Sequence, residues 1–288
     1  MHSAEEENVA YYKEQLSSIK QMFSMTTKHL QEVQDELKEK NNNISQSVAY
    51  AQKIQSQMLP SFTPKVFQET YGFVKQRDLI GGDFIYYSTS QDKVIFGLMD
   101  CTGHGVPGAL LSMMGYNFIN DIIHSKHILE PAALLKELDR KFHHYFSHHA
   151  DEKVMRDGMD GVICTFDQKT KILHYSMAGR PLWFKQNGVW EKHRPDRNSI
   201  GGAFNASFVE HQLDCTHPTE VFVFSDGLSD QFGGENDKKF LTKRILQHLK
   251  KYDSLNVQGI AEKLNQTIEE WMGDNNQTDD IAYLLTKI

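Results

Sequence analysis

The feature that most constrains this chain is a heptad seam running from Val9 to Met58. Steps of three and four residues fall on Val9, Tyr12, Leu16, Ile19, Phe23, Thr26, Leu30, Val33, Leu37, Lys40, Ile44, Ser47, Ala51, Ile54 and Met58, with no Pro or Gly between them. One helix over this stretch would be roughly 75 Å long. Such a helix cannot bury its apolar stripe alone, so a parallel homodimer through residues 9–58 is expected. Thr26, Lys40 and Ser47 interrupt the seam and Asn41, Asn42 and Asn43 are poor helix formers. That combination marks a weak point around residues 40–47, where a change of register or a break could be favoured. Leu59, Pro60 and Pro64 end the helix and set the boundary between a regulatory helix, 1–59, and a second domain, 60–288. A chain that opens almost inside a coiled coil also reads as a piece of something longer, with an upstream sensor or regulatory domain.

Beyond the prolines the pattern changes to short β-type runs. Strands are expected at Tyr71–Val74, Phe84–Tyr87, Val94–Met99, Gly161–Phe166, Ile172–Met177, Leu182–Lys185, Phe208–Leu213, Val221–Phe224 and Ile281–Leu285. Helical periodicity appears at Pro107–His124, Pro131–Phe146, Lys239–Lys250 and Val257–Trp271, with Lys238–Lys239 as a solvated helix start. Strands and helix pairs are segregated and many strands are joined by short turns. The expected fold class is therefore α+β, an antiparallel β-sandwich flanked by helices and preceded by the long coiled-coil helix.

The formal charge of −7 argues against a nucleic-acid surface. Cys101, Cys164 and Cys215 show no metal-ligand spacing. No run is long and apolar enough for a membrane contact and no signal peptide opens the chain, which reads as cytoplasmic.

Four segments place carboxylates at strand ends: Asp83 in IGGDFIYY, Asp100 in VIFGLMDCTGHGVPGA, Asp226 in VFVFSDGLSD, and Asp279 with Asp280 in NNQTDDIAYLL. Singly, each reads as a turn residue or cap. Together, as hard oxygen donors without His or Cys partners, they select Mg²⁺ or Mn²⁺. Two cations sharing a carboxylate could activate water and neutralise a phosphoryl group during in-line attack.

The motifs RDLIGGDF, DCTGHGVPGAL, DGMDG, AGRPLW, SIGG, SDGLSDQFGG and QTDDIA, in this order, resemble the metal-dependent protein phosphatase (PPM) family, and within it the bacterial SpoIIE/RsbU-like branch. AQKIQSQMLP resembles the segment preceding the catalytic domain there. GGDF alone also partly matches a diguanylate cyclase signature, but the second acidic residue is missing. The resemblance implies two Mn²⁺ or Mg²⁺ ions per subunit. Asp100 would bridge them; Asp83 and the Cys101 backbone carbonyl would serve one, Asp226 and Asp279 the other. Asp280 would be an alternate ligand or stand behind the ligands, and Asp160 could hold a third ion. His104, four residues after Asp100 where eukaryotic members carry His two residues after, is a candidate general acid, with loop structure or capping as the alternative. Arg180 could clamp the substrate phosphate, with a surface salt bridge as the alternative. The implied activity is hydrolysis of phosphoserine or phosphothreonine on a signalling protein, an anti-sigma-factor antagonist by the family's usual pattern. A non-catalytic phosphoprotein scaffold and a hydrolase of small phosphate esters are the rivals.

Overall fold

The computed structural model describes residues 2–59, 67, 69–146, 157–195, 197–202 and 206–288, residues 2–10 as backbone only. Two compact units emerge, residues 1–51 and 52–288. Helix α1 runs unbroken over His2–Met58. The weak point around residues 40–47 is helical throughout, and polar residues there are bonded within the helix. Ser47 Oγ donates to the Asn43 carbonyl at 2.9 Å, and Lys40 Nζ pairs with Glu36 at 2.6 Å. The seam stands open: Leu16, Phe23 and Leu30 are 52%, 75% and 63% exposed.

The second unit is a sandwich of two five-stranded antiparallel sheets. One sheet has the order β1 (Glu69–Lys75), β12 (Ile281–Lys287), β9 (Glu220–Phe224), β6 (Leu182–Gln186), β7 (Val189–His193). The other runs β2 (Phe84–Ser90), β3 (Lys93–Cys101), β4 (Met159–Asp167), β5 (Ile172–Ala178), β8 (Glu210–Asp214). The period-two pattern divides the side chains between layers. Val94, Phe96 and Leu98 of β3 meet Val221, Val223, Ala282 and Leu284 between the sheets. The alternate residues Ile95 and Met99 face outward onto α2 (Gly105–Asn120) and α3 (Pro131–Phe146), against Ile119, Leu134, Leu138 and Phe142. On the other side Phe222, Phe224, Tyr283 and Leu285 pack on α5 (Leu241–Lys251) and α6 (Val257–Met272). Both faces of the central strands are thus buried, which is why they read as continuous apolar runs. Truncating a fully buried ring such as Phe96 to Ala would cost about 3–5 kcal/mol.

Several boundaries differ from the sequence expectations. Helix α2 ends at Asn120 and a single π turn, Asp121–Ser125, follows it. Strand β8 begins at Glu210, and β7 was not anticipated. Lys238–Lys239 is no helix start: it forms β11, paired with β10 (Phe232–Gly233) in a small ribbon. Phe240 is anchored directly after it, buried against Trp271 with its N–H on the Gln231 carbonyl, so α5 starts only at Leu241.

Antiparallel order decides where the acidic segments go. The starts of β2, β4 and β12 and the ends of β3 and β9 share one rim of the sandwich. Asp83, Asp160 and Asp280 belong to those starts, and Asp100 and Asp226 to those ends.

Candidate active site

Asp100 lies inside β3, one residue earlier than the strand's end at Cys101, and is registered opposite Asp160 of β4. Strand β9 stops at Phe224, so Asp226 opens a one-turn helix, α4 (Asp226–Asp230), instead of ending the strand. Gly227 permits this: a Cβ there would lie 2.0 Å from the Asp280 carbonyl oxygen, so α4 rests directly on the backbone leading into β12. Asp226 and the Asp279–Asp280 pair are thereby held side by side.

Arg180, in the turn after β5, closes the cluster. Its Nη2 stands 2.7 Å from Asp226 Oδ2, 2.9 Å from Asp100 Oδ2 and 3.5 Å from Asp160 Oδ2. With its side chain only 16% exposed, this is a buried multi-carboxylate contact and not a surface salt bridge. Arg180 is held charged against its burial by Asp100, Asp226 and Asp160.

The carboxylates raise one another's pKa. Asp83, 3% exposed, is pushed well above the usual carboxylate range by burial and then by the Asp100 charge. Asp100 is raised to about 7, chiefly by burial, with Arg180 pulling it down and Asp226 pushing it up. Asp279 is raised by partial burial and by Asp226 and Asp280, while the Asp280 N–H on its Oδ1 acts in the opposite sense. Asp280 is spent on the backbone: its Oδ1 accepts from Arg77 N at 2.7 Å and its Oδ2 from Gly82 N at 2.6 Å. It braces the loop that carries Asp83. Cys101 is buried, its thiol pushed far up by burial, and its backbone carbonyl faces the same loop, 3.1 Å from where a Cβ on Gly82 would stand.

His104 occupies the N-cap position of α2 with an extended backbone, and its side chain caps nothing. Its Nδ1 meets Asp78 Oδ2 at 3.1 Å, both side chains being 45% exposed. The ring therefore stands at the mouth of the cluster, paired to Asp78 and not to Asp100.

The residues suit hard divalent cations. All side-chain donors are oxygens; Asp83 Oδ2 is buried without a hydrogen-bond partner, and the buried Asp100 Oδ2 has the Arg180 ion pair in place of one. Burial first, and neighbouring carboxylates second, raise Asp83, Asp100 and Asp279, the pattern of an acidic cluster that a cation would relieve. Among the described residues, no three His, Cys, Asp or Glu side chains already converge as a ligand set; Arg180 stands among the carboxylates.

Sequence reasoning missed one contact here. Gln55, inside AQKIQSQMLP, is buried, and its Nε2 donates to the Gly81 carbonyl at 2.7 Å and to Ser112 Oγ at 2.9 Å. A Gln on a helix carries no period or motif signal for such a contact. Of the histidine-rich stretch HHYFSHH, His143 lies beside Asp139 on α3, and His148 and His149 are outside the described residues.

Residues 90–288 match the family model described as stage II sporulation protein E (SpoIIE). The chain belongs to the SpoIIE family. The chain is 22% identical over 250 residues to the phosphoserine phosphatase RsbP of Bacillus subtilis, covering 85% of this chain and 59% of the relative. It therefore spans about three-fifths of that relative's length. The SiaA PP2C domain of Pseudomonas aeruginosa superposes with a TM-score of 0.77 at 27% identity, over 86% of this chain and 98% of that domain. The RsbU and RsbW domains of Rv1364c from Mycobacterium tuberculosis share the fold, with a TM-score of 0.59 at 16% identity over 76% of this chain and 59% of that one.

Proposed function

We propose that this chain is a Mg²⁺- or Mn²⁺-dependent phosphoprotein phosphatase acting on phosphoserine or phosphothreonine of a signalling partner, an anti-sigma-factor antagonist. The observation that carries the reading is the gathering of Asp83, Asp100 and Asp226 at one rim, with Asp83 Oδ2 buried without a hydrogen-bond partner and Asp100 and Asp226 both ion-paired to Arg180. Family membership and the likeness to proteins named as phosphatases support it.

Asp83, Asp100, Asp226 and Asp279, with the Cys101 carbonyl, would hold two cations, and Asp160 would serve a looser third. When bound, such cations neutralise phosphoryl charge and lower the pKa of water. The chain's own residues do the rest. Asp280 keeps the Asp83 loop in place through Arg77 and Gly82. Arg180 is oriented by Asp100 and Asp226, and its remaining N–H donors can take a phosphoryl oxygen. His104 at the mouth, paired to Asp78, is the group to protonate the departing serine or threonine oxygen.

The reading extends to control. The exposed seam of α1 pairs with a second copy in the cytoplasm; among the described residues no helix is long and apolar enough to cross a membrane. Gln55, near the helix end, holds the Gly81 carbonyl two residues before Asp83, so a shift of the helix would be felt at a cation ligand. An upstream domain would supply that shift.

The test is to incubate the protein with a cell's phosphoproteome, with Mn²⁺ and with chelator, and follow phosphosite loss. Sites lost only with Mn²⁺ support the reading; no site lost in either condition refutes it. Sedimentation of the same samples should show a dimer that dissociates when Leu16 and Leu30 are changed to Glu.

A further inference from the structure

Asp139 is a carboxylate that the catalytic reading leaves unused. It sits on the inner face of α3, 4% exposed, between turns that bury Leu135, Leu138 and Phe142. Taking a carboxylate out of water is costly unless strong hydrogen bonds compensate. Here its Oδ1 accepts the backbone N–H of Gly201 at 2.8 Å, with His143 Nε2 3.4 Å away one turn along the helix.

Gly201 belongs to the SIGG motif, which no step of the proposed chemistry absorbs. Its φ of +76° is one that a residue with a side chain rarely adopts, and a Cβ there would also come within 3.0 Å of the Asp157 carbonyl. The preceding residue, Ile200, is wholly buried and exchanges two hydrogen bonds with Met159: Met159 N to Ile200 O at 3.0 Å, and Ile200 N to Met159 O at 2.9 Å. Met159 lies between two contacts with the rim. On one side Gly158 is bonded both ways to Thr102, in the turn after Asp100. On the other is Asp160, opposite Asp100 and within reach of Arg180.

A chain of short, directional contacts thus leads from a buried carboxylate on α3 to the rim. We propose that Asp139 is a positioning residue: by holding Gly201 and, through it, the Ile200–Met159 bridge, it sets where Asp160 stands relative to Asp100 and Arg180. The consequence for turnover rests on the phosphatase reading; the placement itself does not.

The experiment compares Asp139→Ala with Asp139→Asn in the full chain, the Asn variant keeping an oxygen that can accept the Gly201 N–H. Amide hydrogen exchange and backbone NMR shifts are read first, without substrate. The Gly201 amide should lose protection in the Ala variant and keep it in the Asn variant, and the Met159 and Asp160 amide shifts should follow the same split. With phosphopeptide and Mn²⁺, kcat of the Ala variant should fall about tenfold with KM within twofold, as expected for a misplaced group that does not itself bind substrate. The Asn variant should recover kcat to within about threefold of the native protein. Loss of Gly201 protection with unmoved Met159 and Asp160 shifts would overturn the proposal, as would an Asn variant as impaired as the Ala one. Should Asp139→Ala not fold, Asp139→Ser, too short to reach Gly201, takes its place in the same comparison. A native protein without turnover would sink the phosphatase reading alone, because the NMR comparison is made without substrate.

Discussion

The two halves of the acidic rim use the same residue type in opposite surroundings. On the β2–β3 side Asp83 and Asp100 are buried; burial and then the Asp100 charge raise Asp83, and burial raises Asp100, with Arg180 pulling it down and Asp226 pushing it up. On the β9–β12 side the Asp226 side chain is 41% exposed and Asp279 is open to solvent. Arg180 spans the two, 2.9 Å from Asp100 and 2.7 Å from Asp226. The difference is instructive: burial creates the demand for positive charge on the inner side, and exposure leaves a way in on the outer side.

The sharpest way to exploit that contrast is to remove one charge from each half. Asp83→Asn should lower phosphatase turnover by about 10²–10³-fold, since no water can replace a buried ligand there. Asp279→Asn on the open side should cost only about tenfold, recoverable in part by raising Mn²⁺. Equal losses at saturating Mn²⁺ would erase the distinction between the halves.

Breaking the link between them comes next. Arg180→Ala leaves buried carboxylates unpaired, so the metal-free protein should lose about 3 kcal/mol of stability. Added Mn²⁺ should then raise the melting temperature more in the variant than in the native protein, because the cation takes over the missing charge. A variant that melts with the native protein in chelator would show that Arg180 does not hold the halves together.

The smallest effect is a pH dependence of the metal-free protein. Asp100 is raised from 3.8 to about 7 in the folded state, with Asp83 raised as well. Between those values the folded chain binds more protons than the unfolded one, so this contribution to stability is full at low pH and is lost as pH rises through the folded pKa. In chelator the Tm should therefore fall between pH 5 and pH 8, by an amount on the order of 5 °C. In Mn²⁺ the fall should vanish or reverse. A Tm that rises with pH in chelator would contradict the assignment of the inner half as the charge-starved one.

Much of this was legible in the sequence because it is local. The core strands announce themselves as apolar runs, and each acidic segment ends or begins one of them. Once the strands alternate in direction, Asp83, Asp100, Asp226 and Asp280 are driven to one rim. What stayed hidden depends on contacts far apart in the chain. The motif AGRPLW marks Arg180 as a candidate phosphate clamp, but its pairing with Asp100 and Asp226 joins segments far apart in the chain and leaves no local signal. Asp226 begins a helical turn because Gly227 packs on Asp280, which no local propensity reveals. Lys238–Lys239 carries a helix-like charge pattern, yet the burial of Phe240 beside Trp271 makes it a ribbon. Gln55 and Asp139, reaching Gly81 and Gly201, are likewise long-range.

The most direct test of the account is phosphate release from a phosphoserine protein, followed against Mn²⁺ concentration in the native chain and in Asp100→Asn. The account predicts release that saturates with Mn²⁺, stops with chelator and is absent from a folded Asp100→Asn variant. Release that persists in chelator, or an Asp100→Asn variant with native turnover, would contradict it.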